Sequence, residues 1–273
     1  MSSPIPIGHF VEIGVEQKIH YHEEGVGPVV IFLHGSGGGA SGYSNFKHNF
    51  PVFAEAGYRV IALDLLGFGL SSKPDVAMYD LDFFIESTKR FIDALGLKNC
   101  TLLGNSLGGA VALGYALAHP TDVDRLILMA PGGIESIETY LEMPGIANMF
   151  NVYKAGKSGT EAMREVMRLQ LFNPELLTED IINERAPIAA TQTQAARSVM
   201  KVPDMTLELK DLQCPVFGFW GVNDQFTPVG GAMKIVQNAP NARFTLVNQC
   251  GHWVHVEHRD LFNRQCIDFL NNG

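Results

Sequence analysis

Short apolar runs alternate with amphipathic stretches through most of the chain. Several runs in its first half end at glycine, proline or polar residues, which is typical of β-strands. They cover residues 9–15, 17–22, 29–33, 59–64, 100–104 and 125–130. The stretches 45–56, 80–95 and 110–119 have the periodicity of helices. Strands that alternate with helices predict an α/β fold, with a mostly parallel sheet and helices on both faces.

The alternation stops after Pro131-Gly132-Gly133 and resumes with apolar runs at residues 215–220 and 243–247, which bring the predicted sheet to eight strands. In between no apolar strand is convincing, residues 161–171 and 178–200 have helical patterns, and methionines are frequent. We therefore predict a core formed by residues 1–133 and 210–273, interrupted by a helical cap at 134–209. A flexible apolar cap of this kind is suited to covering a substrate pocket.

Composition narrows the classes of function. The 273 residues carry a net charge of −9, with no cluster of lysine and arginine, which argues against a nucleic-acid partner. The four cysteines have no metal-ligand spacing, so they do not indicate a metal site. The amino terminus lacks the pattern of a signal peptide, which predicts a cytoplasmic location. Residues 99–121 lack charged side chains, but polar residues and glycines favour a buried strand and helix over a membrane span.

The sequence Gly104-Asn105-Ser106-Leu107-Gly108 lies between a predicted strand and a predicted helix. G-x-S-x-G in that setting is typical of a nucleophile elbow, a tight turn that exposes the serine hydroxyl at the edge of the sheet. Two later loops strengthen this interpretation, because Asp224 and His252 each follow a predicted strand. The order Ser106, Asp224, His252 is that of the catalytic triad in the α/β-hydrolase fold.

The loop His34-Gly35-Ser36-Gly37 follows the third predicted strand. In this fold the loop supplies one backbone N–H to an oxyanion hole, and the residue after the nucleophile supplies the other. The expected donors are therefore Ser36 and Leu107. Residues 35–40 also fit G-x-G-x-x-A, a dinucleotide-binding pattern, with Glu55 at the usual spacing. Because Glu55 falls inside a predicted helix and not at a strand end, the oxyanion loop is the favoured interpretation.

Four segments together resemble the meta-cleavage product hydrolases, α/β-hydrolases of bacterial aromatic degradation. They are Leu33-His34-Gly35-Ser36-Gly37, Ala40-Ser41-Gly42-Tyr43-Ser44-Asn45-Phe46, Gly104-Asn105-Ser106-Leu107-Gly108-Gly109, and Cys250-Gly251-His252-Trp253 with Glu257-His258. The similarity covers nearly the whole chain and is weakest in the cap. The chain departs from the family in lacking a proline in the run Gly37-Gly38-Gly39 and a second aromatic residue near Val256.

The resemblance implies roles for individual residues. It places Gly35, Asn45, Asn105 and Trp253 at the substrate, and it makes Arg185 the group that binds the substrate carboxylate. A planar guanidinium suits a carboxylate, because it can donate two parallel hydrogen bonds. The sequence alone favours an exposed helix residue at position 185, and it is the resemblance that favours the carboxylate-binding role.

The implied reaction is hydrolysis of a carbon–carbon bond in a 2-hydroxy-6-oxo-hexa-2,4-dienoate, an anionic small molecule. It needs no metal or organic cofactor, and the family's usual assembly is a homodimer. A carboxylesterase or lactonase would use the same triad and stays open as an alternative. A non-catalytic ligand receptor on a hydrolase scaffold also stays open, because a fold does not determine a function. The group attached to C6 of the substrate is not specified by the sequence.

Overall fold

A computed structural model describes residues 6–75, 79–193 and 202–272. Its centre is an eight-stranded sheet with the order β1-β2-β4-β3-β5-β6-β7-β8. The strands are β1 His9–Gly14, β2 Gln17–Glu24, β3 Val29–Leu33, β4 Arg59–Leu63, β5 Cys100–Asn105, β6 Val123–Met129, β7 Val216–Gly221 and β8 Ala242–Val247. The β1–β2 and β2–β4 pairs are antiparallel and the others are parallel. The predicted sheet is confirmed.

Helices cover both faces of this sheet and fill the connection between β6 and β7. The described α-helices are α1 Gly42–Phe46, α2 Phe50–Glu55, α3 Leu81–Ala94, α4 Leu107–Ala118, α5 Ile137–Leu141, α6 Pro144–Lys154, α7 Gly159–Leu169, α8 Glu179–Thr191, α9 Gly230–Asn238, α10 Val254–Glu257 and α11 Arg259–Asn272. Within the described ranges, none of them has the length and apolar character that crossing a bilayer requires.

The parallel strands are buried on both sides, and their side chains alternate between two cores. Ile31 and Leu33 of β3 face one core together with α3 and α4. Val30 and Phe32 face the other, which contains the rings of Phe46, Phe53, Phe262 and Phe269 from α1, α2 and α11. Because side chains along a strand point to opposite faces in turn, a strand buried on both faces must be apolar at every position. This requirement explains why the sequence predicted the central strands so directly.

Three predicted helices differ from those observed. The stretch 45–56 forms two short helices, because Pro51 lacks an N–H and its ring would clash with the carbonyl group four residues earlier in a continuous helix. The helix predicted to begin at residue 110 begins at Leu107, directly after the turn. The helix predicted over residues 178–200 is observed as α8, and residues 194–200 lie outside the described part of the chain.

The connection between β6 and β7 contains α5, α6, α7 and α8 and no described strand, as the sequence indicated. Helices α5 and α6 were not predicted. In α6 the apolar residues Ile146, Met149, Phe150 and Tyr153 do follow helical spacing, but they line a cavity and leave the helix largely exposed. The division of the chain at residues 134 and 209 stays a prediction.

Buried polar groups fix the loops that follow β3 and β4. His34 Nδ1 lies 2.7 Å from the carbonyl oxygen of Gly35, and its Nε2 accepts the N–H of Leu65 at 3.0 Å. His34 is therefore neutral with its proton on Nδ1, and burial lowers its pKa. Asp64 accepts the N–H groups of Gly42 and Leu70 and pairs with His20. The loop after β3 is thus held to the loop after β4 by side chains that water does not reach.

We expect the protein to lose stability as the pH falls from 7 to 5. Burial, reinforced by the neighbouring His20, lowers the pKa of His22 to about 4. Burial, reinforced by the charge of Arg185, lowers the pKa of His255 to about 3. Each histidine therefore binds a proton at a higher pH in the unfolded chain than in the folded protein. Each should remove about 2 kcal/mol from the free energy of unfolding across this interval.

Urea unfolding at pH 7 and pH 5 measures this loss. His22→Gln removes one of the two groups and should make the free energy of unfolding less dependent on pH. The matched control is His119→Gln at the end of α4, because His119 is not among the groups that shift the pKa of His22. If the pH dependence were the same in the wild type and in His22→Gln, the buried neutral state of His22 would not be its cause.

Candidate active site

The turn between β5 and α4 holds Ser106 in a strained conformation. Ser106 has φ 54° and ψ −115°, a region that residues other than glycine rarely adopt. Its N–H donates to the carbonyl oxygen of Met129 and its own carbonyl accepts the N–H of Gly132, both at 3.0 Å. These bonds to β6 and to the residues after it hold the turn in place.

Glycine is required on both sides of Ser106 because three backbone segments meet there. A Cβ atom at Gly104 would lie 2.2 Å from the carbonyl oxygen of Gly108, and one at Gly108 would lie 2.0 Å from that of Leu33. The contacts are with backbone, which cannot move aside as a flexible side chain would. The G-x-S-x-G pattern therefore reflects the close approach of β5, β3 and α4.

Asp224 and His252 form a buried pair in the loops that follow β7 and β8. Asp224 Oδ2 lies 2.7 Å from His252 Nδ1 and accepts the hydroxyl of Thr227 at 2.6 Å. Its Oδ1 accepts the N–H groups of Phe226 and Thr227. An ionised carboxylate can only accept hydrogen bonds, so the Nδ1 atom that faces Asp224 must be the donor. Neutral His252 therefore carries its proton on Nδ1, and its Nε2 is an acceptor.

A cavity of about 590 Å³ lies over this end of the sheet. Most of the predicted site residues line it: Gly35, Ser36, Asn45, Asn105, Ser106, Leu107, Arg185, His252 and Trp253. Asp224 lies behind the lining and is hydrogen-bonded to His252, which lines the cavity. Leu107 is the first residue of α4, where the backbone N–H has no acceptor within the helix. The structure thus brings the residues of every predicted role to one place.

One part of the cavity is polar and contains a buried cation. Arg185 is 2% exposed, its Nη2 donates to Asn45 Oδ1 at 2.9 Å and to the carbonyl oxygen of Ser44 at 3.2 Å, and its guanidinium lies 5.2 Å from the ring of Trp253. Burial lowers the pKa of Arg185 to about 10, so the group stays charged at neutral pH.

Two polar atoms of residues that line the cavity have no partner among the described residues. They are Nε of Arg185 and Oδ1 of Asn105. The Nδ2 group of Asn105 donates to the carbonyl oxygen of Met129 at 3.2 Å, which orients Oδ1 as an unpaired acceptor. The adjacent Glu184 is paired with Lys47 and does not neutralise Arg185 by a direct contact. A buried donor on a cation and a buried acceptor, each without a partner, are costly unless a ligand satisfies them.

Much of the remaining lining is apolar and comes from the connection between β6 and β7. Helices α5, α6 and α7 contribute Thr160 and the larger, mostly apolar side chains of Ile137, Tyr140, Ile146, Met149, Phe150, Tyr153, Met163 and Val166. We call the lining around Arg185 the polar compartment and the lining from α5, α6 and α7 the apolar compartment; Ser106 and His252 line the same cavity.

Two side chains of the site were missed from the sequence. Thr227 follows Asp224 by three residues, a spacing typical of local side-chain to backbone turns, and this signal was available. Gln192 accepts the N–H of Gly39 at 3.1 Å and lines the cavity, which connects the end of α8 to the predicted oxyanion loop. No sequence pattern indicates Gln192, because its partner is 153 residues away.

The fold and the site are those of an α/β hydrolase, and the family model described as "alpha/beta hydrolase fold" matches residues 28–259. The 2-hydroxy-6-oxononadienedioate/2-hydroxy-6-oxononatrienedioate hydrolase of Comamonas testosteroni is 34% identical, over 94% of this chain and 92% of that protein. The 2-hydroxy-6-oxo-6-phenylhexa-2,4-dienoate hydrolase of Burkholderia cepacia is 35% identical, with the same coverage.

Among solved structures, the meta-cleavage product hydrolase of Pseudomonas fluorescens IP01 superimposes with a TM-score of 0.83. It is 26% identical, over 97% of this chain and 98% of that one. The chain belongs to the meta-cleavage product hydrolases within the α/β hydrolase family.

We expect Gly108→Ala to destabilise the protein by about 3 kcal/mol or more, because the added methyl group would overlap the backbone of Leu33. Gly230→Ala is the matched control, since a Cβ atom there meets nothing within 4 Å at the start of α9. Thermal and urea unfolding of both variants measure the difference. Equal midpoints for the two variants would show that the backbone contact at Gly108 is not a constraint.

Proposed function

We propose that this protein is a serine-dependent hydrolase that cleaves the carbon–carbon bond of a 2-hydroxy-6-oxo-hexa-2,4-dienoate, a meta-cleavage product of aromatic degradation. The observation that carries the proposal is Arg185, a buried cation with an unpaired Nε in the same cavity as Ser106 and His252. A guanidinium in this state fits a substrate carboxylate, which would supply the missing acceptors. The relatives named above act on substrates of this class.

In the proposed complex the substrate spans the two compartments. Its carboxylate binds Arg185, which the ring of Trp253 and the side chain of Asn45 hold in place. The 2-hydroxyl group donates to Asn105 Oδ1. The carbonyl group at C6 then lies between Ser106 and the N–H groups of Ser36 and Leu107, and the group attached to C6 enters the apolar compartment.

The reaction has two stages. The dienol first becomes a ketone at C2 and gains a proton at C5, assisted by His252 and the bound carboxylate. Ser106 Oγ then attacks C6 while His252 Nε2 accepts its proton, Asp224 orients the imidazole ring, and the two backbone N–H groups bind the oxyanion. The C5–C6 bond breaks, its electron pair passes into the conjugated 2-oxo-3-enoate, and protonation gives a 2-hydroxydienoate. Water hydrolyses the acyl-serine and releases the acid.

The described walls of the second compartment favour an apolar group at C6, such as phenyl. The homodimer and the cytoplasmic location expected from the sequence stay predictions. The alternative to test is a carboxylesterase or lactonase with the same triad, because an entirely uncharged ester would leave Arg185 Nε without a partner and its charge without a counter-ion.

We expect Arg185→Met to lower kcat/KM for the 6-phenyl dienoate by about 100-fold, because a hydrogen-bonded charge pair is lost. The variant should have far less effect on 4-nitrophenyl acetate, which carries no carboxylate. Spectrophotometric assays of both substrates measure the two losses. The control is Arg164→Met, since Arg164 is paired with Glu179 on the exposed surface.

Equal losses on the two substrates would remove Arg185 as the carboxylate site. Brisk hydrolysis of the ester by the wild type without turnover of any dienoate would establish the esterase alternative, and inactivity on both would favour the receptor.

We expect the wild type to prefer a phenyl group at C6 over a carboxyethyl group by at least about tenfold in kcat/KM, because a second carboxylate would lose its hydration against apolar walls. Parallel assays of the two dienoates at one pH measure the ratio. Equal or faster turnover of the carboxyethyl substrate would contradict an apolar second compartment.

A further inference from the structure

The backbone around His252 is bound to the helical connection as well as to the sheet. The N–H of His252 donates to the carbonyl oxygen of Gln170 at 2.7 Å, and Gln170 directly follows the last residue of α7. On the other side, the N–H of Asn223 donates to the carbonyl oxygen of Cys250 at 2.9 Å. The loop that carries His252 therefore lies between the connection and the loop that carries Asp224.

One carboxylate joins the two segments. Glu257 Oε1 accepts the N–H of Gly251 at 2.7 Å, directly before His252. Its Oε2 accepts the N–H groups of Phe172 and Asn173, at 2.8 and 2.9 Å, in the turn between α7 and α8. Glu257 is the last residue of the short helix α10, which begins two residues after His252. His252 and the carboxylate that bonds to its loop therefore lie in one short segment of the chain.

Packing supports the same arrangement. A Cβ atom at Gly251 would lie 2.5 Å from the carbonyl oxygen of Gln170 and 2.9 Å from the nitrogen of Phe172, so the two backbones approach as closely as glycine allows. Leu171, in the same turn, is buried in a cluster with Trp253, Met163 and Met167. The turn thus contacts the residues on both sides of His252.

We propose that Glu257 is a positioning residue. Its carboxylate clamps the turn between α7 and α8 to the His252 loop. The alignment of His252 therefore depends on how the helical connection between β6 and β7 packs on the sheet. Glu257 accepts hydrogen bonds from three backbone N–H groups, lies beside the buried thiol of Cys250 and is outside the lining of the cavity, so we infer that it acts through the His252 loop. This inference rests on the proposed function of His252 as general base.

A carboxylate is needed because all three partners are donors. Glutamine has the size of glutamate but a single acceptor oxygen, and its NH₂ group would face an N–H. Glu257→Gln should therefore open one side of the clamp and leave an unpaired donor, with little change in side-chain volume.

We expect Glu257→Gln to lower kcat on the order of 10- to 100-fold with KM changed less than about twofold, because small displacements of a catalytic group are costly while the substrate contacts remain. The same loss should occur with the dienoate and with 4-nitrophenyl acetate, since both need His252. Asp260→Asn is the matched control, an exposed carboxylate close in sequence. An unchanged kcat would overturn the proposal.

A spectroscopic measurement separates alignment from general destabilisation. The Nδ1 proton of His252, in its 2.7 Å bond to Asp224, should give a low-field proton resonance in the wild type and in Asp260→Asn. It should broaden or vanish in Glu257→Gln, at a temperature well below unfolding. Reduced kcat with an unchanged resonance would contradict a role through His252.

If Glu257→Gln does not fold, Glu257→Asp tests the same contacts, because it keeps both acceptor oxygens but is one methylene shorter and cannot reach Gly251 and the turn together. It should give the same lowered kcat and weakened resonance, and a normal kcat would overturn the proposal. His252→Ala separates the proposed role of His252 as general base from the proposed role of Glu257. Full activity in that variant would refute His252 as the base, whereas an inactive His252→Ala beside a normal Glu257→Gln would refute only the clamp.

Discussion

The close contact of three backbone segments at Ser106 is the constraint on which the rest of the site depends. Strand β5, strand β3 and helix α4 meet so closely that Gly104 and Gly108 admit no side chain, and Ser106 is held at a positive φ. Such strain persists only where the surrounding structure determines it, here through the bonds to Met129 and Gly132. The same geometry places the start of α4, with its free N–H groups, beside the serine. The rigid core of the sheet is therefore what positions the hydroxyl.

The helical connection between β6 and β7 supplies what the sheet lacks. Arg185 comes from α8, the apolar compartment comes from α5, α6 and α7, and the turn after α7 is bonded to the His252 loop. On the proposed function, the connection determines which substrate fits the cavity. The groups that carry out the reaction follow the strands of the sheet. Gln192 and Glu257 bind across the boundary, so the two parts are not independent.

The sequence predicted the parts of the molecule that follow local rules. The central strands are apolar throughout because both faces are buried, and Ser106, Asp224 and His252 follow strands at the edge where parallel sheets form their sites. Helices α5 and α6 were not predicted, because their apolar residues line a cavity and are not buried in a core. Arg185 was ambiguous, since its burial depends on contacts with Ser44 and Trp253 from distant segments. The clamp at Glu257 could not be predicted for the same reason, because two of its three partners are backbone groups 84 and 85 residues away.

On the proposed function, one cavity binds a dienoate through Arg185 and presents its C6 carbonyl to Ser106. Rapid mixing of Ser106→Ala with the 6-phenyl dienoate, followed by absorbance and by analysis of the released acid, examines both steps. We expect the variant to bind the dienoate and perturb its absorbance, and to release no benzoate on the timescale of wild-type turnover. Release of benzoate at the wild-type rate would refute Ser106 as the nucleophile, and the absence of any binding would refute the dienoate as the ligand.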